Sequence, residues 1–405
     1  MNTTTRVQLS AMMFLQFFVW GAWYVTMGTY LTETLKASGV QTGAAYSANA
    51  IATIISPFIV GLIADRYFAA QKFMGVLHLL GAALLYFATT ITDPNAFFWI
   101  ILIYSAAYMP TLALSASVAF NLMSDPSKEF PRIRVFGTLG WIVVGLIIGA
   151  LHFEGVANLA ATTMPFKIAA GASLLLGLYS FTLPNTPPKA QNTEGASIGQ
   201  ILGLDALVLF KDRSYLVFFI SSILVCIPLS FYYSFTNTFL TQVGMENATG
   251  KMTMGQMSEV LFMVLLPFFY KRLGIKNILI VAILAWMLRF LCFGFGNSDA
   301  LIGLLYLGIV LHGVCYDFFF VSGMIYTETK AGANIKSAAQ GLITFATYGV
   351  GMFIGTYLSG LVKDIYTVGE ITAWQSFWLV PAGITLAVLA FLFLFFKEKE
   401  SFDVK

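Results

Sequence analysis

Charged residues are scarce in this sequence of 405 residues. Only 10% of the residues are Asp, Glu, Lys or Arg, whereas 58% are hydrophobic. A soluble domain carries about 25% charged residues, so most of the surface of this chain faces something other than water. The formal net charge of +3 is small and its carriers are dispersed. The sequence therefore gives no indication of nucleic-acid binding.

Cysteine is rarer still, and familiar enzyme motifs are missing. Cys226, Cys292 and Cys315 each lie in an apolar stretch without metal-ligand spacing. This pattern predicts buried thiols and neither a disulfide framework nor a metal site. The sequence has no HExxH motif and no carboxylate-rich loop able to hold a metal. We therefore expect a protein that is not an enzyme and that uses no cofactor.

Long apolar segments occupy most of the chain. A membrane-spanning helix needs about 20 predominantly apolar residues, and twelve such segments are present. They lie near residues 8–33, 43–64, 73–92, 96–122, 134–153, 165–183, 214–241, 253–272, 277–296, 299–327, 337–362 and 374–396. The first exceeds the roughly 7–15 apolar residues of a signal peptide, so we interpret it as an uncleaved helix. The pattern predicts an all-α, multi-pass membrane protein.

The basic residues indicate how these segments are oriented. Cytoplasmic loops of membrane proteins are enriched in Lys and Arg. If both termini are cytoplasmic, most of the 22 Lys and Arg residues fall on the cytoplasmic side. The basic residues on the other side are then Lys36, Lys167, Lys251 and Lys363. We therefore expect both termini in the cytoplasm and the chain in the inner membrane of a bacterial cell.

A polar stretch from Pro184 to about Asp212 divides the chain into halves. It predicts a six-helix bundle over residues 1–183, a cytoplasmic loop over 184–213 and a second six-helix bundle over 214–405. Short motifs recur in the two halves in the same order, and the number of residues between matching motifs is nearly constant. They pair Tyr30-Leu31-Thr32 with Phe239-Leu240-Thr241, Pro57-Phe58 with Pro267-Phe268, and Tyr108 with Tyr316. A duplicated six-helix unit is the plan of the major facilitator superfamily, whose substrate lies near the bilayer midplane between halves.

A loop after the second apolar segment resembles the signature loop of that superfamily. Gly61-Leu62-Ile63-Ala64-Asp65-Arg66 has its glycine, small residues, aspartate and arginine. The usual Gly-Arg pair downstream is replaced by Ala69-Ala70-Gln71-Lys72, and an ordinary charged cytoplasmic turn is the alternative. Together with the twelve segments and the duplication, the loop favours a secondary transporter.

A few ionisable residues fall within or at the edge of the predicted membrane helices. They are Arg134, Glu259, Arg289, His312 and Asp317. A charged residue there costs roughly 2.5–3.5 kcal/mol on insertion scales, so each is a candidate functional residue. Helical spacing groups them with other side chains. The resulting faces are Arg134 with Thr138 and Trp141, Gln256 with Glu259, and His312 with Tyr316.

These residues also have structural alternatives. Arg134 can be the last basic residue of its cytoplasmic loop, and His312 can be a packed, hydrogen-bonded side chain. Asp317 points about 100° away from Tyr316 around the helix, so it is either a second proton site or the ion-pair partner of Arg289. Nothing near Glu259 in sequence neutralises it, which favours a functional role.

Several longer motifs follow one another along nearly the whole chain, at Met13–Trp23, Ala107–Leu112, Glu129–Gly140, Gly203–Ala206, Pro267–Phe269, Gly274–Asn277, Asp317–Phe319, Ser337–Gly341 and Trp374–Gln375. Together they resemble the nucleoside:proton symporter family, the group that contains the enterobacterial nucleoside permeases. The resemblance implies a transporter that carries a nucleoside together with a proton.

The resemblance also implies roles for individual residues. In that family, nucleoside binding is associated with the positions that match Arg134, Thr138, Gln256 and Glu259. Aromatic residues that help to hold the nucleoside match Trp141, His312 and Tyr316, and His312 departs by replacing a tyrosine. Proton coupling is associated with the acidic position among these, here Glu259, and Asp317 stays a candidate for a second proton-coupling residue.

A larger departure concerns two residues of the seventh segment. Ser230 and Tyr233 stand where the family's permease has a glutamine and an asparagine three residues apart. An amide that grips the ribose hydroxyls or a base edge is thus lost, which leaves the identity of the substrate open. We therefore keep Ser230 and Tyr233 among the expected substrate-binding residues.

These observations lead to the hypothesis of a proton-driven importer. Burial of Glu259 should raise its affinity for a proton, and protonation removes a charge that opposes closure. Proton and substrate can then stabilise the same occluded state. Alternatives are a proton-coupled or facilitative transporter of a sugar, amino sugar or similar ring compound, and a receptor. We expect a monomer in the lipid bilayer, powered by the proton gradient.

Overall fold

The computed structural model describes residues 1–60, 68–151, 158–187 and 204–398, and their regular structure is almost all helical. The helices up to residue 180 are α1 Thr3–Trp23, α2 Met27–Thr29, α3 Gly39–Ile59, α4 Ala70–Ala88, α5 Pro94–Leu122, α6 Pro126–Ala150 and α7 Met164–Ser180. A π-helical turn, Tyr30–Thr34, follows α2, and a 3₁₀ turn, Leu159–Ala161, precedes α7.

The later helices contain more interruptions. They are α8 Arg213–Gln242, α9 Ala248–Phe295, α10 Ile302–Val310, α11 His312–Tyr316, α12 Ser322–Thr344, α13 Met352–Ile365 and α14 Trp374–Phe395. A 3₁₀ segment, Leu204–Lys211, precedes α8, and π-helical turns lie at Asp317–Val321 and Phe345–Gly351. Two short strands, β1 Thr367–Val368 and β2 Ile371–Thr372, pair antiparallel with Thr367 opposite Thr372.

Nine helical segments within the described ranges are long and apolar enough to cross a membrane. The longest, Ala248–Phe295, covers two of the segments predicted from the sequence. It is broken at Gly274, whose φ is +70°, a value that glycine adopts readily because it has no Cβ. The count of twelve spans stays a prediction. The signature-like loop Gly61–Arg66 and residues 188–203 of the polar stretch lie outside the described residues.

Polar side chains fix the starts of several helices. Ser38 Oγ accepts a hydrogen bond from the Gln41 backbone N–H at 3.1 Å, and Gln41 Oε1 accepts one from the Ser38 N–H at 3.0 Å. Asp93 accepts the Ala96 N–H at 2.9 Å at the start of α5. These bonds satisfy N–H groups that have no partner within the first helical turn.

The chain divides into two compact units. The first comprises Met1–Ala196 with Asn247–Thr253, and the second comprises Ser197–Glu246 with Met254–Lys405. In the first unit, α1 packs along α6 and α7, and α4 packs along α5 and α7. In the second, α8 packs against α13 and α14. The domain limits predicted from the sequence, 1–183 and 214–405, stay predictions.

The close approach of α1 and α6 depends on glycine. A Cβ added at Gly140 would meet the Phe14 backbone, with the carbonyl carbon at 3.0 Å and Cα at 3.2 Å. One turn earlier, a Cβ at Gly137 would lie 2.6 Å from the Phe17 ring. Since α6 also carries Arg134, Thr138 and Trp141, this packing positions the first candidate face.

Candidate substrate and proton site

The first candidate face lies on α6 and meets aromatic residues of α1. The Arg134 guanidinium carbon lies 3.9 Å from the centroid of the Phe17 ring, a cation–π contact. The Trp141 and Trp20 ring centroids are 5.5 Å apart in an edge-to-face arrangement. Arg134, Thr138 and Trp141 are all half-buried. The structure thus places a cation and an aromatic plate along one helix, as their spacing predicts.

A buried polar network in the first unit was missed by sequence reasoning. His78 Nε2 lies 2.9 Å from Gln16 Oε1, and His78 Nδ1 lies 3.1 Å from Ser173 Oγ. The Gln16 side-chain amide donates to Thr111 Oγ1 at 2.7 Å. The Tyr108 hydroxyl donates to the Gln16 backbone carbonyl at 2.6 Å. A lone histidine in an apolar segment was the available signal. This network joins α1, α4, α5 and α7 one turn of α1 away from Trp20.

The second unit holds a largely buried cluster of ionisable side chains on α9 and α11. His312 lies between an acidic and a basic side chain, with Nε2 at 3.9 Å from Glu259 Oε2 and Nδ1 at 2.9 Å from Arg289 Nη1. His312 is only 1% exposed and Arg289 is fully buried, whereas Glu259 keeps 17% of its side chain exposed. The carboxylate is therefore the accessible end of a chain of three ionisable groups.

An aromatic stack holds the buried part of this cluster. The Arg289 guanidinium carbon lies 3.4 Å from the centroid of the Tyr232 ring. The His312 ring stacks on the same tyrosine, with centroids 5.3 Å apart and planes inclined by 24°. His312 also contacts Tyr316, with 5.6 Å between the ring centroids. The stack fixes the planes of both the guanidinium and the imidazole.

Small residues bring α9 and α11 together at this level. The Ser258 hydroxyl donates to the Val310 carbonyl at 2.5 Å and accepts the Gly313 N–H at 3.0 Å. A Cβ at Gly255 would lie 3.2 Å from the His312 Cβ. Ser258 precedes Glu259 in the chain, so the same contacts that join the two helices position the carboxylate beside the histidine.

Asp317 does not pair with Arg289 in the structure. Arg289 uses Nη1 for His312, and its Nε and Nη2 atoms have no hydrogen-bond partner among the described residues. Asp317 is fully buried, and neither of its carboxylate oxygens has a hydrogen-bond partner there. It opens the π-helical turn Asp317–Val321, a type of distortion that is frequent at functional sites. The ion-pair alternative for Asp317 is not formed in this conformation.

The remaining predicted residues of the second unit have different surroundings. Gln256 is buried one turn before Glu259. The hydroxyls of Tyr316 and Tyr348 are hydrogen-bonded to each other. Tyr233 is half-buried and meets Tyr232 edge to face at 5.4 Å between centroids. Gln256, Tyr233 and Tyr316 therefore lie on the helices that hold the cluster.

Ser230 differs from these residues in its surroundings. Its hydroxyl is fully buried and donates to the Cys226 carbonyl at 2.9 Å, with Met352 Sδ at 3.3 Å. A Cβ at Gly355 would collide with the same hydroxyl. Ser230 thus packs α8 against α13, and its place among the substrate-binding residues stays a prediction.

The described residues hold no cluster of three or more His, Cys, Asp or Glu side chains that could bind a metal ion. Cys226, Cys292 and Cys315 are buried and free. The side chains described above can offer a ligand hydrogen bonds, aromatic surface and a titratable carboxylate.

Comparisons with known proteins agree with this chemistry. The family model described as "Nucleoside H+ symporter" matches residues 1–401. The putative nucleoside transporter YegT of Escherichia coli K12 is 45% identical, over 98% of this chain and 95% of that protein. The xanthosine permease of the same organism is 38% identical, over 96% of each chain.

A solved structure extends the comparison to the fold. The crystal structure of the nucleoside transporter NupG matches with a TM-score of 0.87 at 36% identity, over 98% of this chain and 100% of that chain. The predicted fold class, that of the major facilitator superfamily, is confirmed by this match, and so is the family resemblance drawn from the sequence motifs. This chain belongs to the nucleoside–H⁺ symporter family, whose members are multi-pass membrane transporters coupled to protons.

Proposed function

We propose that this chain imports a nucleoside with a proton across the bacterial inner membrane by alternating access. The family match over residues 1–401 carries the proposal. Relatives named as a nucleoside transporter and a xanthosine permease support a nucleoside as the cargo. The transporter acts as a monomer with both termini in the cytoplasm. It is not an enzyme, it needs no cofactor, and the proton gradient is its energy source.

The first unit recognises the nucleoside through the α6 face. Arg134 supplies forked N–H donors that suit the acceptor atoms of a base or a ribose. Trp141 offers an aromatic plate on which a base can stack, and Thr138, one helical turn from Arg134, adds a hydroxyl. The contact of Arg134 with Phe17 at 3.9 Å holds the guanidinium in place.

The second unit recognises the nucleoside through α8, α9 and α11. Gln256 can both donate to and accept from a base edge, and the Glu259 carboxylate accepts from ribose hydroxyls. Tyr233 and Tyr316 add aromatic surface. His312 acts on Glu259 and not on the nucleoside, because it is only 1% exposed.

Proton coupling rests on Glu259. Its carboxylate is charged when it carries no proton, and a buried charge is costly unless it is neutralised. Protonation and nucleoside binding therefore favour the same closed state, which links the two by differential affinity. Asp317 is a second candidate proton site, since its buried carboxylate has no hydrogen-bond partner among the described residues.

Uptake of radiolabelled uridine and adenosine into proteoliposomes tests the proposal. We expect accumulation under an inward proton gradient and its collapse when an uncoupler is added. Accumulation that survives the uncoupler would indicate a facilitator. Folded protein that takes up neither nucleoside would point to a sugar or amino sugar.

A matched pair of variants tests the role of Glu259. Glu259→Gln removes the titratable group and should abolish gradient-driven accumulation while exchange of nucleoside across the membrane continues. Glu328→Gln makes the same chemical change at a carboxylate that is 53% exposed and paired with Lys336, and should leave accumulation intact. Full gradient-driven uptake by Glu259→Gln would refute the assignment.

A further inference from the structure

The position of Arg289 in the cluster raises a question about its role. It is fully buried, and His312 separates it from Glu259 in the chain of contacts. A buried arginine is costly in a membrane helix and is retained where it has a task. The proposed symport mechanism gives Arg289 no direct contact with nucleoside or proton.

The hydrogen bond between Arg289 and His312 determines which tautomer the histidine adopts. A guanidinium has only N–H donors and cannot accept. His312 Nδ1, at 2.9 Å from Arg289 Nη1, must therefore be the acceptor and carry no proton. The neutral ring then has its proton on Nε2. An imidazolium would instead place an N–H and a second positive charge against the guanidinium.

The proton on Nε2 faces the proposed proton-binding residue. His312 Nε2 lies 3.9 Å from Glu259 Oε2, which is beyond a direct hydrogen bond but close enough for a charge–dipole contact at a largely buried site. The N–H dipole favours the ionised carboxylate over the protonated one. Tyr232 stacks against both the guanidinium and the imidazole. The stacking keeps both planar groups from rotating out of this arrangement.

Other charged and titratable groups surround Glu259 within the second unit. Asp317 and Tyr232 interact electrostatically with it. The same helices carry the remaining groups of the cluster, which are Arg289 on α9, Tyr233 on α8, and His312 and Tyr316 on α11. The Asp317 carboxylate opposes ionisation of Glu259 when both are charged, whereas the arginine and the histidine favour it.

We propose that Arg289 is a positioning residue that holds His312 as a neutral Nε2–H donor towards Glu259, and that this relay sets the pH range in which the transporter loads its proton. The inference rests on the proposed role of Glu259 as the proton carrier. Without the relay, Glu259 binds its proton at higher pH. Steps that need a protonated Glu259 then persist to higher pH.

The test uses nucleoside exchange in proteoliposomes with equal pH on both sides, measured from pH 5 to 9 with radiolabelled adenosine and uridine. His312→Phe keeps an aromatic ring against Tyr232 but removes both nitrogens. Arg289→Met keeps much of the side-chain volume but removes the charge. Each should move the midpoint of the exchange profile up by about one pH unit, a tenfold change in proton affinity.

Two further variants separate the relay from a general structural effect. Arg289→Lys retains a donor and a charge, and should lie closer to the wild-type midpoint than Arg289→Met. The double variant Arg289→Met/His312→Phe should shift no further than Arg289→Met alone, because that change already removes both the relay and the charge of the arginine. An unchanged or lowered midpoint in folded His312→Phe protein would overturn the proposal.

A measurement on the unaltered chain covers the case in which these variants do not fold. The chain has three histidines, so ¹⁵N NMR of histidine side chains in the wild-type transporter is tractable. We expect the His312 ring to stay neutral with its proton on Nε2 from pH 5 to 8. An imidazolium, or a neutral ring with its proton on Nδ1, would overturn the proposal.

Failure of the inference and failure of the proposed function give different results. If Glu259→Gln keeps gradient-driven accumulation, Glu259 is not the proton carrier and the relay proposal falls with it. If Glu259→Gln loses coupling while folded His312→Phe keeps the wild-type midpoint, only the relay is wrong.

Discussion

The contact between α1 and α6 makes a quantitative prediction about Gly140. An alanine there would bring its Cβ against the Phe14 backbone, with Cα only 3.2 Å away. Backbone atoms cannot move aside as a flexible side chain can. Overpacking of this kind costs about 1–3 kcal/mol. Since α6 also carries Arg134 and Trp141, Gly140→Ala should lower both thermal stability and nucleoside affinity.

A second glycine provides a matched control for this experiment. Gly171 lies on α7, and a Cβ there would meet nothing within 4 Å. Gly171→Ala should be neutral or stabilising by up to about 1 kcal/mol, because alanine has the higher helix propensity. Thermal unfolding of the two variants in the same detergent, followed by tryptophan fluorescence, measures the difference.

The two glycine variants can refute the packing argument. Equal melting temperatures for Gly140→Ala and Gly171→Ala would show that α1 and α6 are not in close contact at Gly140. Reduced stability with unchanged nucleoside affinity would show that the α6 face does not depend on this packing.

Two other predictions concern residues with contrasting surroundings. Ser230→Ala should leave nucleoside affinity within about twofold of wild type, because the hydroxyl donates to the Cys226 carbonyl inside its helix. A large loss of binding, measured by competition with labelled adenosine, would contradict this placement. At the start of α8, Asp212 lies 2.7 Å from Lys330 Nζ. Burial raises the pKa of the Asp212 carboxyl, but the hydrogen bond from Lys330 and those from backbone N–H groups outweigh it and hold the pKa below its usual range. A lowered pKa in the folded state means that Asp212 contributes stability above the unfolded pKa of about 3.9, and that this contribution is lost as pH falls through the folded value. Melting curves should therefore show a smaller loss of stability on acidification below about pH 4 in Lys330→Met than in wild type, and identical acid profiles would contradict the pairing.

The sequence predicted those features that depend on spacing within one segment. Arg134, Thr138 and Trp141 share a helix face because they fall at i, i+4 and i+7. Gln256 and Glu259 share one for the same reason. The fold class was also predictable, since membrane spans and a duplicated unit are encoded in long stretches of the chain.

Contacts between helices that are distant in sequence could not be predicted in this way. The bond between His78 and Gln16 joins residues 62 positions apart, and that between Arg289 and His312 joins residues 23 apart. Spacing along one helix does not show which neighbouring helix a side chain meets. The sequence alone offers Asp317 as an ion-pair partner for Arg289, whereas the structure pairs Arg289 with His312.

Ser230 shows the converse difficulty. Its position matches a substrate-binding amide of the family, but a serine side chain is short enough to bond to the carbonyl four residues earlier in its own helix. The Ser230 hydroxyl donates to the Cys226 carbonyl in the structure, a local bond that the match of positions does not reveal.

Proton uptake driven by nucleoside is the most direct test of the central claim. Proteoliposomes that contain the wild-type chain and a pH-sensitive dye should become more acidic inside when adenosine or uridine is added outside, without any imposed gradient. Glu259→Gln should give no acidification although it still exchanges nucleoside. Nucleoside entry without acidification in wild type, or equal acidification in Glu259→Gln, would contradict the account.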